Sequence, residues 1–386
     1  MKNVLFLILL IFSSTVKSQE LTNDTIISIG DYNVHFKVIK GKATPIIFEA
    51  GAGDIGATWD DILEPINKIT GATLITYDRV GQGRSLVGDD WQNPDHYTIE
   101  NDLYVLEQGL EELGFDNEII LVPHSYGGFV TTLFAAKYPN RVKYVIRIDA
   151  NLVDFYTDEL LEVIAQDGMP PLKIEGPHMH FLAQGFNKTI FKLRNTTFPL
   201  DIPVIDIYSS IRPFMTDEQL KENTQAHIKF ANASDKRTLI HAEGSGHYIF
   251  KDNPLLVINA IASAYSETID NMETKNQILQ RTLDYSMSFS MQSMKNNEES
   301  KTVHTERYLN DLGYSLLNNG QIERAAKVFQ FNCDLFPESS NTYDSYAEAL
   351  FKLGKFNESL IMYEKSLRLN PDNENAKFMI QRINEK

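Results

Sequence analysis

Between residues 25 and 265, eight short apolar, β-branched runs alternate with longer stretches of helical character. The runs lie at 26–29, 34–39, 45–49, 73–77, 118–122, 143–148, 203–208 and 237–241. Several are apolar almost throughout, as parallel strands covered on both faces must be. Between them "WDDILEPINKIT", "IENDLYVLEQGLEELG" and "GFVTTLFAAKYP" read as helices, the last two stopped at Gly114 and Pro139. This order predicts an α/β fold with a mostly parallel eight-stranded sheet. The turn "GDYN" between the first two runs predicts an antiparallel hairpin at one edge.

One connection breaks the rhythm. About fifty residues separate the run ending at Ile148 from that starting at Pro203. A connection this long inside a compact domain is usually functional, and 151–200 reads as a mostly helical cap over the sheet. The main domain is expected over 25–266. Residues 267–304, rich in Ser, Met, Asn and Glu, read as a partly helical linker. Beyond them the sequence repeats. Gly320 and Gly354 are 34 residues apart, as are Pro337 and Pro371, Leu316 and Leu350, and Phe329 and Tyr363. With small residues at Gly313 and Ala347, this period resembles the tetratricopeptide repeat, two antiparallel helices per unit, over 305–386. The resemblance implies a possible protein partner or self-association through the repeats.

The chain begins "MKNVLFLILLIFSSTVKSQE": Lys2, nine apolar residues, then small residues before Gln19. This is the outline of a signal peptide over 1–18, and the apolar run is too short to span a bilayer. A secreted or periplasmic protein with no transmembrane segment in its mature chain is expected. Cys333 is the one cysteine, so no intrachain disulfide is possible; its helical apolar setting suggests a buried thiol. The formal net charge of −16 argues against a nucleic-acid partner, since phosphate binding needs clustered Lys and Arg.

Chemistry concentrates at "EIILVPHSYGGFV", residues 118–130. A buried strand stops at Pro123, and a helix resumes at Phe129. Ser125 lies in the turn with Gly127 and Gly128 behind it. A serine becomes a nucleophile only when a base takes its proton and when it stands clear of the sheet. A tight strand–turn–helix elbow provides the second condition, and small neighbours permit it. Here the sequence resembles the α/β-hydrolase superfamily of serine-nucleophile type. Its elbow runs small-x-Ser-x-small, matched by "PHSYG", with Pro123 where the superfamily mostly has Gly. "TYDRVGQGRS", residues 76–85, resembles another superfamily segment, in which Asp78 and Arg79 are structural.

The resemblance implies an oxyanion hole from the amides of Tyr126 and, in "IIFEAGAGD", Ala52. It implies a catalytic His247 in "LIHAEGSGHYIF", after the last strand. His124 beside the serine reads as packing. His178 and His180 in "GPHMH" lack a clear third metal ligand, and neither a metal nor another cofactor is implied. The triad acid has four candidates. Asp149 ends the sixth run abruptly and is preferred; Asp217, Asp154 and Asp206 are the alternatives. The expected function is hydrolysis of a small-molecule acyl substrate, a carboxylic ester first, with amide, lactone or C–C substrates as further options. The alternative is a catalytically weak or inactive scaffold whose repeats bind a protein partner. Phe155, Tyr156, Met169, Phe181 and Phe186 of the cap are candidates for lining an acyl site or packing the cap.

Overall fold

The computed structural model describes residues 22–42, 44–167, 177–295, 299–318 and 320–385. The expected leader at 1–18 and Met169 lie outside the described residues. One sheet contains β1 (Thr22–Ile29), β2 (Tyr32–Ile39), β3 (Ile46–Glu49), β4 (Leu74–Tyr77), β5 (Leu86–Val87), β6 (Ile119–Pro123), β7 (Val142–Ile148), β8 (Val204–Ile211) and β9 (Arg237–Gly246). Its order is β1-β2-β4-β3-β6-β7-β8-β9, with β5 on β2. The pairs made by β2 are antiparallel and those from β4 through β9 are parallel. The sheet is therefore mixed, and the two-residue β5 adds a ninth strand to the eight expected.

Strand β6 shows why its residues are apolar throughout. Ile119 and Leu121 join one core with α2 (after α1 at Asp60–Thr70, the helix Ile99–Glu112) and α3 (Gly127–Lys137). Ile120 and Val122 join the opposite core with Ile62, Leu63 and Ile66 of α1. Burial on both faces contributes about 1.5–3 kcal/mol per large aliphatic side chain. The cap holds α4 (Asp158–Asp167) and α5 (Pro177–Arg194), the latter packing Leu182, Phe186 and Ile190 into the first core. Then come α6 (Asp217–Asn232), α7 (Ile249–Asp252) and α8 (Pro254–Glu267), the last covering the second core.

Within the stretch read as a partly helical linker, residues 272–295 form one helix packed on the sheet domain. Helix α9 (Met272–Lys295) buries Ile278 in the second sheet core, and Arg281 donates to the Ile69 carbonyl of α1 at 3.0 Å. Helices α10 (Glu299–Asn318), α11 (Ile322–Leu335), α12 (Ser340–Lys352), α13 (Phe356–Leu369) and α14 (Glu374–Asn384) continue from it. Leu255 of α8 shares a core with Leu283 of α9, Leu309 and Leu316 of α10 and Phe329 of α11. Gly313 is required where α10 meets α11: a Cβ there would lie 2.3 Å from Phe329 Cε1. Cys333 is buried in α11, and burial pushes its thiol up to about 12, which removes the reactive thiolate at neutral pH. No helix among the described residues is long and apolar enough to cross a membrane.

Candidate active site

The parallel strands end along one edge, where α/β sheets gather their functional loops. Ser125 follows β6 with φ 50°, and Asp149 follows β7 with φ 46°. Among the described residues these are the two non-glycine positions with positive φ. Such backbone costs on the order of 1–3 kcal/mol and persists where its surroundings enforce it. The enforcement is visible at the elbow. A Cβ on Gly127 would come within 2.6 Å of the Glu49 carbonyl oxygen, and one on Gly128 within 2.8 Å of Ala150 Cβ. The elbow is thus wedged between the end of β3 and the loop after β7. Pro123 closes the ladder opposite Glu49, and His124 N then donates to Glu49 O at 2.9 Å.

Of the four acid candidates, one meets the histidine. His247 follows β9 directly, and its Nδ1 stands 2.6 Å from Asp149 Oδ2. Asp206 is buried inside β8, 2.7 Å from His227 and 3.3 Å from Arg147. Asp154 pairs with Lys229 at 2.9 Å. Asp217 opens α6 beside the capping residue Thr216. Asp149 is fully buried and accepts four donors: Ser209 N at 2.9 Å, Ser209 Oγ at 2.8 Å, Arg212 Nη2 at 2.5 Å and the imidazole. Burial alone would raise its pKa, but Arg212 and His247 together hold it well below the usual carboxylate range. Burial, with the His124 ring beside it, lowers His247 to about 4, against the pull of Asp149. His247 is therefore neutral at pH 7; donating Nδ1–H to Asp149 leaves Nε2 with its lone pair.

The serine and the histidine are linked through His124. Its ring centroid lies 4.5 Å from that of His247, and its Nε2 donates to the His247 carbonyl at 3.0 Å. The packing expected of His124 is accompanied by this hydrogen bond to the chain at His247. Among the described residues the Ser125 hydroxyl makes no hydrogen bond, including none to the His247 ring. Neither the Tyr126 nor the Ala52 backbone N–H has a protein acceptor among the described residues. A Cβ on Gly51 would sit 3.2 Å from Ser125 Cβ, so the 50–53 loop abuts the elbow. Two open amides beside a serine hydroxyl form an arrangement able to receive developing negative charge.

Several supporting residues carry weaker sequence signals. Arg79 donates from Nη1 to Ala50 O at 2.8 Å and from Nη2 to Gly51 O, and pairs with Glu49 at 2.5 Å. It fixes the two carbonyls preceding the Ala52 amide. Gln82 ties the cap to the same loop: its Nε2 donates to Asp54 O at 2.7 Å, while its Oε1 accepts from His178 Nδ1 at 2.7 Å and Gly53 N at 3.1 Å. His180 instead meets Gln184, at 3.0 Å. Arg212 and Ser209 were not singled out by motif. Their one signal is position, since β8 is the parallel neighbour of β7 and ends beside Asp149. Phe155 and Phe186 are buried packing residues, Tyr156 meets both of them edge-on, and Phe181 stacks on Tyr97.

Residues 44–168 match the family model described as alpha/beta hydrolase fold, and residues 340–373 match the tetratricopeptide repeat. The chain is 26% identical over 232 residues to "Uncharacterized protein YqjL" of Bacillus subtilis (strain 168), covering 59% of this chain and 86% of that protein. It is 35% identical over 106 residues to "(Lyso)-N-acylphosphatidylethanolamine lipase" of Bos taurus, covering 28% of this chain and 30% of that protein. It is 28% identical over 116 residues to "Proline iminopeptidase" of Saccharolobus solfataricus (strain ATCC 35092 / DSM 1617 / JCM 11322 / P2), covering 30% of this chain and 36% of that protein. The chain thus spans about a third of the length of the lipase and the peptidase. Sheet, elbow and family matches agree: the chain carries the α/β-hydrolase fold, extended at its C-terminal end by tetratricopeptide repeats.

Proposed function

We propose that the protein is a serine hydrolase that cleaves carboxylic esters through an acyl-enzyme on Ser125. The observation that carries this reading is the conjunction of Ser125 at φ 50° in the elbow with a His247 whose Nδ1 is held by Asp149 at 2.6 Å. Ser125 Oγ attacks the acyl carbonyl as His247 Nε2 takes its proton. Asp149 keeps the tautomer and stabilises the imidazolium. The amides of Tyr126 and Ala52 donate to the oxyanion. His247 then returns the proton to the leaving alcohol, and water repeats the sequence to release the acid. The serine–histidine hydrogen bond forms as substrate enters, a common change from the resting state.

The partial relatives carry the names of a lipase and an iminopeptidase, which sets the substrate test: aryl and alkyl esters against matched amides. A fluorophosphonate probe should label the purified chain and fail to label Ser125→Ala. No labelling together with no ester turnover would sink the reading. That outcome favours a second one, a hydrolase-fold scaffold whose repeats bind a protein partner, which rests on the repeat match at 340–373. The leader-like sequence at 1–18 supports action outside the cytoplasm; N-terminal sequencing of the exported protein should begin at Gln19.

A further inference from the structure

We propose that Arg212 is a positioning residue for the His247–Asp149 pair, locking the Asp149 carboxylate and weakening its pull on the imidazole. The inference rests on the catalytic reading above. It starts from how the carboxylate is divided. Oδ1 receives Ser209 N and Arg212 Nη2; Oδ2 receives Ser209 Oγ and His247 Nδ1. Arg212 makes further bonds from Nε to Ser209 Oγ at 3.2 Å and from Nη2 to Asp149 O at 3.4 Å. Its side chain is 3% exposed, and among the described residues Asp149 is its one carboxylate partner.

Two donors from Ser209 already orient the carboxylate, so orientation alone does not require a buried cation. What the guanidinium adds is charge. An imidazole facing a lone buried carboxylate is strengthened as a base, whereas one facing a carboxylate paired with Arg feels little net field. Other groups face His247 too: His124 from the elbow, Tyr248 beside it in the chain, and Asp54, which reaches Tyr248 Oη at 3.2 Å and His124 Nδ1 at 3.7 Å. Of these, Arg212 is the group that acts on the acid itself. Burial and His124 already lower the imidazole, and Arg212 adds to them by offsetting the pull of Asp149.

The test uses the full mature chain with Arg212→Met, Arg212→Gln and Arg212→Lys. Two readouts are followed: the pH profile of kcat/KM on an aryl ester, and the His247 titration by NMR of histidine-labelled protein, assigned with His247→Gln. Arg212→Met should move both the acid limb and the titration upward by about one pH unit or more, as loss of a neighbouring like charge does. Arg212→Lys should restore most of the original position. If Arg212→Met fails to fold, Arg212→Gln, which removes the charge and keeps a donor, should show the same upward move. A folded neutral variant with an unmoved His247 titration overturns the inference, whatever its turnover. If the unaltered chain has no turnover but the titration still moves, the positioning role stands and the enzyme reading fails.

Discussion

Asn151 donates its backbone amide to the Ser125 carbonyl at 2.8 Å, joining the elbow to the loop that carries Asp149. The two left-handed residues of the site are therefore braced against one another through a single short loop. Gly128 sets the spacing of that brace. Its replacement by Ala would place a Cβ 2.8 Å from Ala150 Cβ and 3.0 Å from Asn151 O. Gly128→Ala should cost about 1–3 kcal/mol and lower kcat at least tenfold by pushing Asp149 off the imidazole. Gly320→Ala, at φ 73° with nothing within 4 Å, should cost about 1 kcal/mol and leave kcat unchanged. Urea melts and ester turnover on the two variants check the contrast.

Asp149→Asn should lower kcat by roughly a thousand- to ten-thousandfold, because the amide no longer selects the Nδ1–H tautomer. Asp217→Asn should stay within about twofold, since that carboxylate lies in the first turn of α6 and its loss is a helix-dipole effect of about 0.3–1 kcal/mol. Steady-state kinetics on the pair decides between the two acid positions. Comparable losses in both would remove Asp149 from the relay.

On the proposed mechanism the acid limb of kcat/KM should lie near pH 4, because a His247 that accepts the serine proton must be neutral and burial lowers it to about 4. The same shift has a stability consequence. The folded pKa is below the ordinary value of about 6.5, so unfolding takes up a proton between about pH 4 and 6.5. Stability contributed by the neutral imidazole is present above that window and is lost as pH falls through it. His247→Gln should flatten this part of the stability profile, measurable as the urea midpoint from pH 4 to 7.

Asp102 gives the opposite sign. It is buried, receives Tyr126 Oη at 3.2 Å, and burial pushes it up to about 7. The unfolded chain ionises it near pH 4, so its contribution is present at low pH and is lost as pH rises from about 4 to 7. Asp102→Asn should therefore gain stability relative to the unaltered chain at pH 8 compared with pH 4, by on the order of a few kcal/mol. Denaturant midpoints at the two pH values test it; an equal difference at both would mean that Asp102 is ionised in the fold.

How much of this was legible in the sequence follows from the range of each interaction. Strands such as β6 are written locally, because burial on two faces demands apolar residues at every position. Ser125 is legible because an elbow forces glycines beside it: a Cβ on Gly127 would meet the Glu49 carbonyl. Asp149 stands out as a carboxylate ending an apolar run, whereas Asp217 sits in a helix first turn, where acidic residues are ordinary. Arg212 is silent: its partner is 63 residues away, and nothing adjacent to "SSIRPF" distinguishes it from an ordinary surface arginine. In the 267–304 stretch, the buried face of α9 is built partly of serines. Ser286 and Ser290 are fully buried and donate to carbonyls four residues back in α9, so a polar composition conceals a packed helix.

That packed helix makes the C-terminal region part of the folding unit. Ile278 of α9 lies in the sheet core and Leu283 lies in a core shared by α8, α10 and α11. Leu283→Ala should cost about 2–5 kcal/mol, the range for a large-to-small change in a buried site. Because Leu283 touches both halves, the loss should appear in the unfolding of the whole chain, with sheet and repeat signals shifting together. A chain cut after residue 270 would expose Leu255 and the faces of α1 and α8 that α9 covers. It should aggregate or melt well below the full chain, while still folding its elbow if refolded at low concentration. A truncated hydrolase region as stable as the full chain would show that α9 adheres without supporting it.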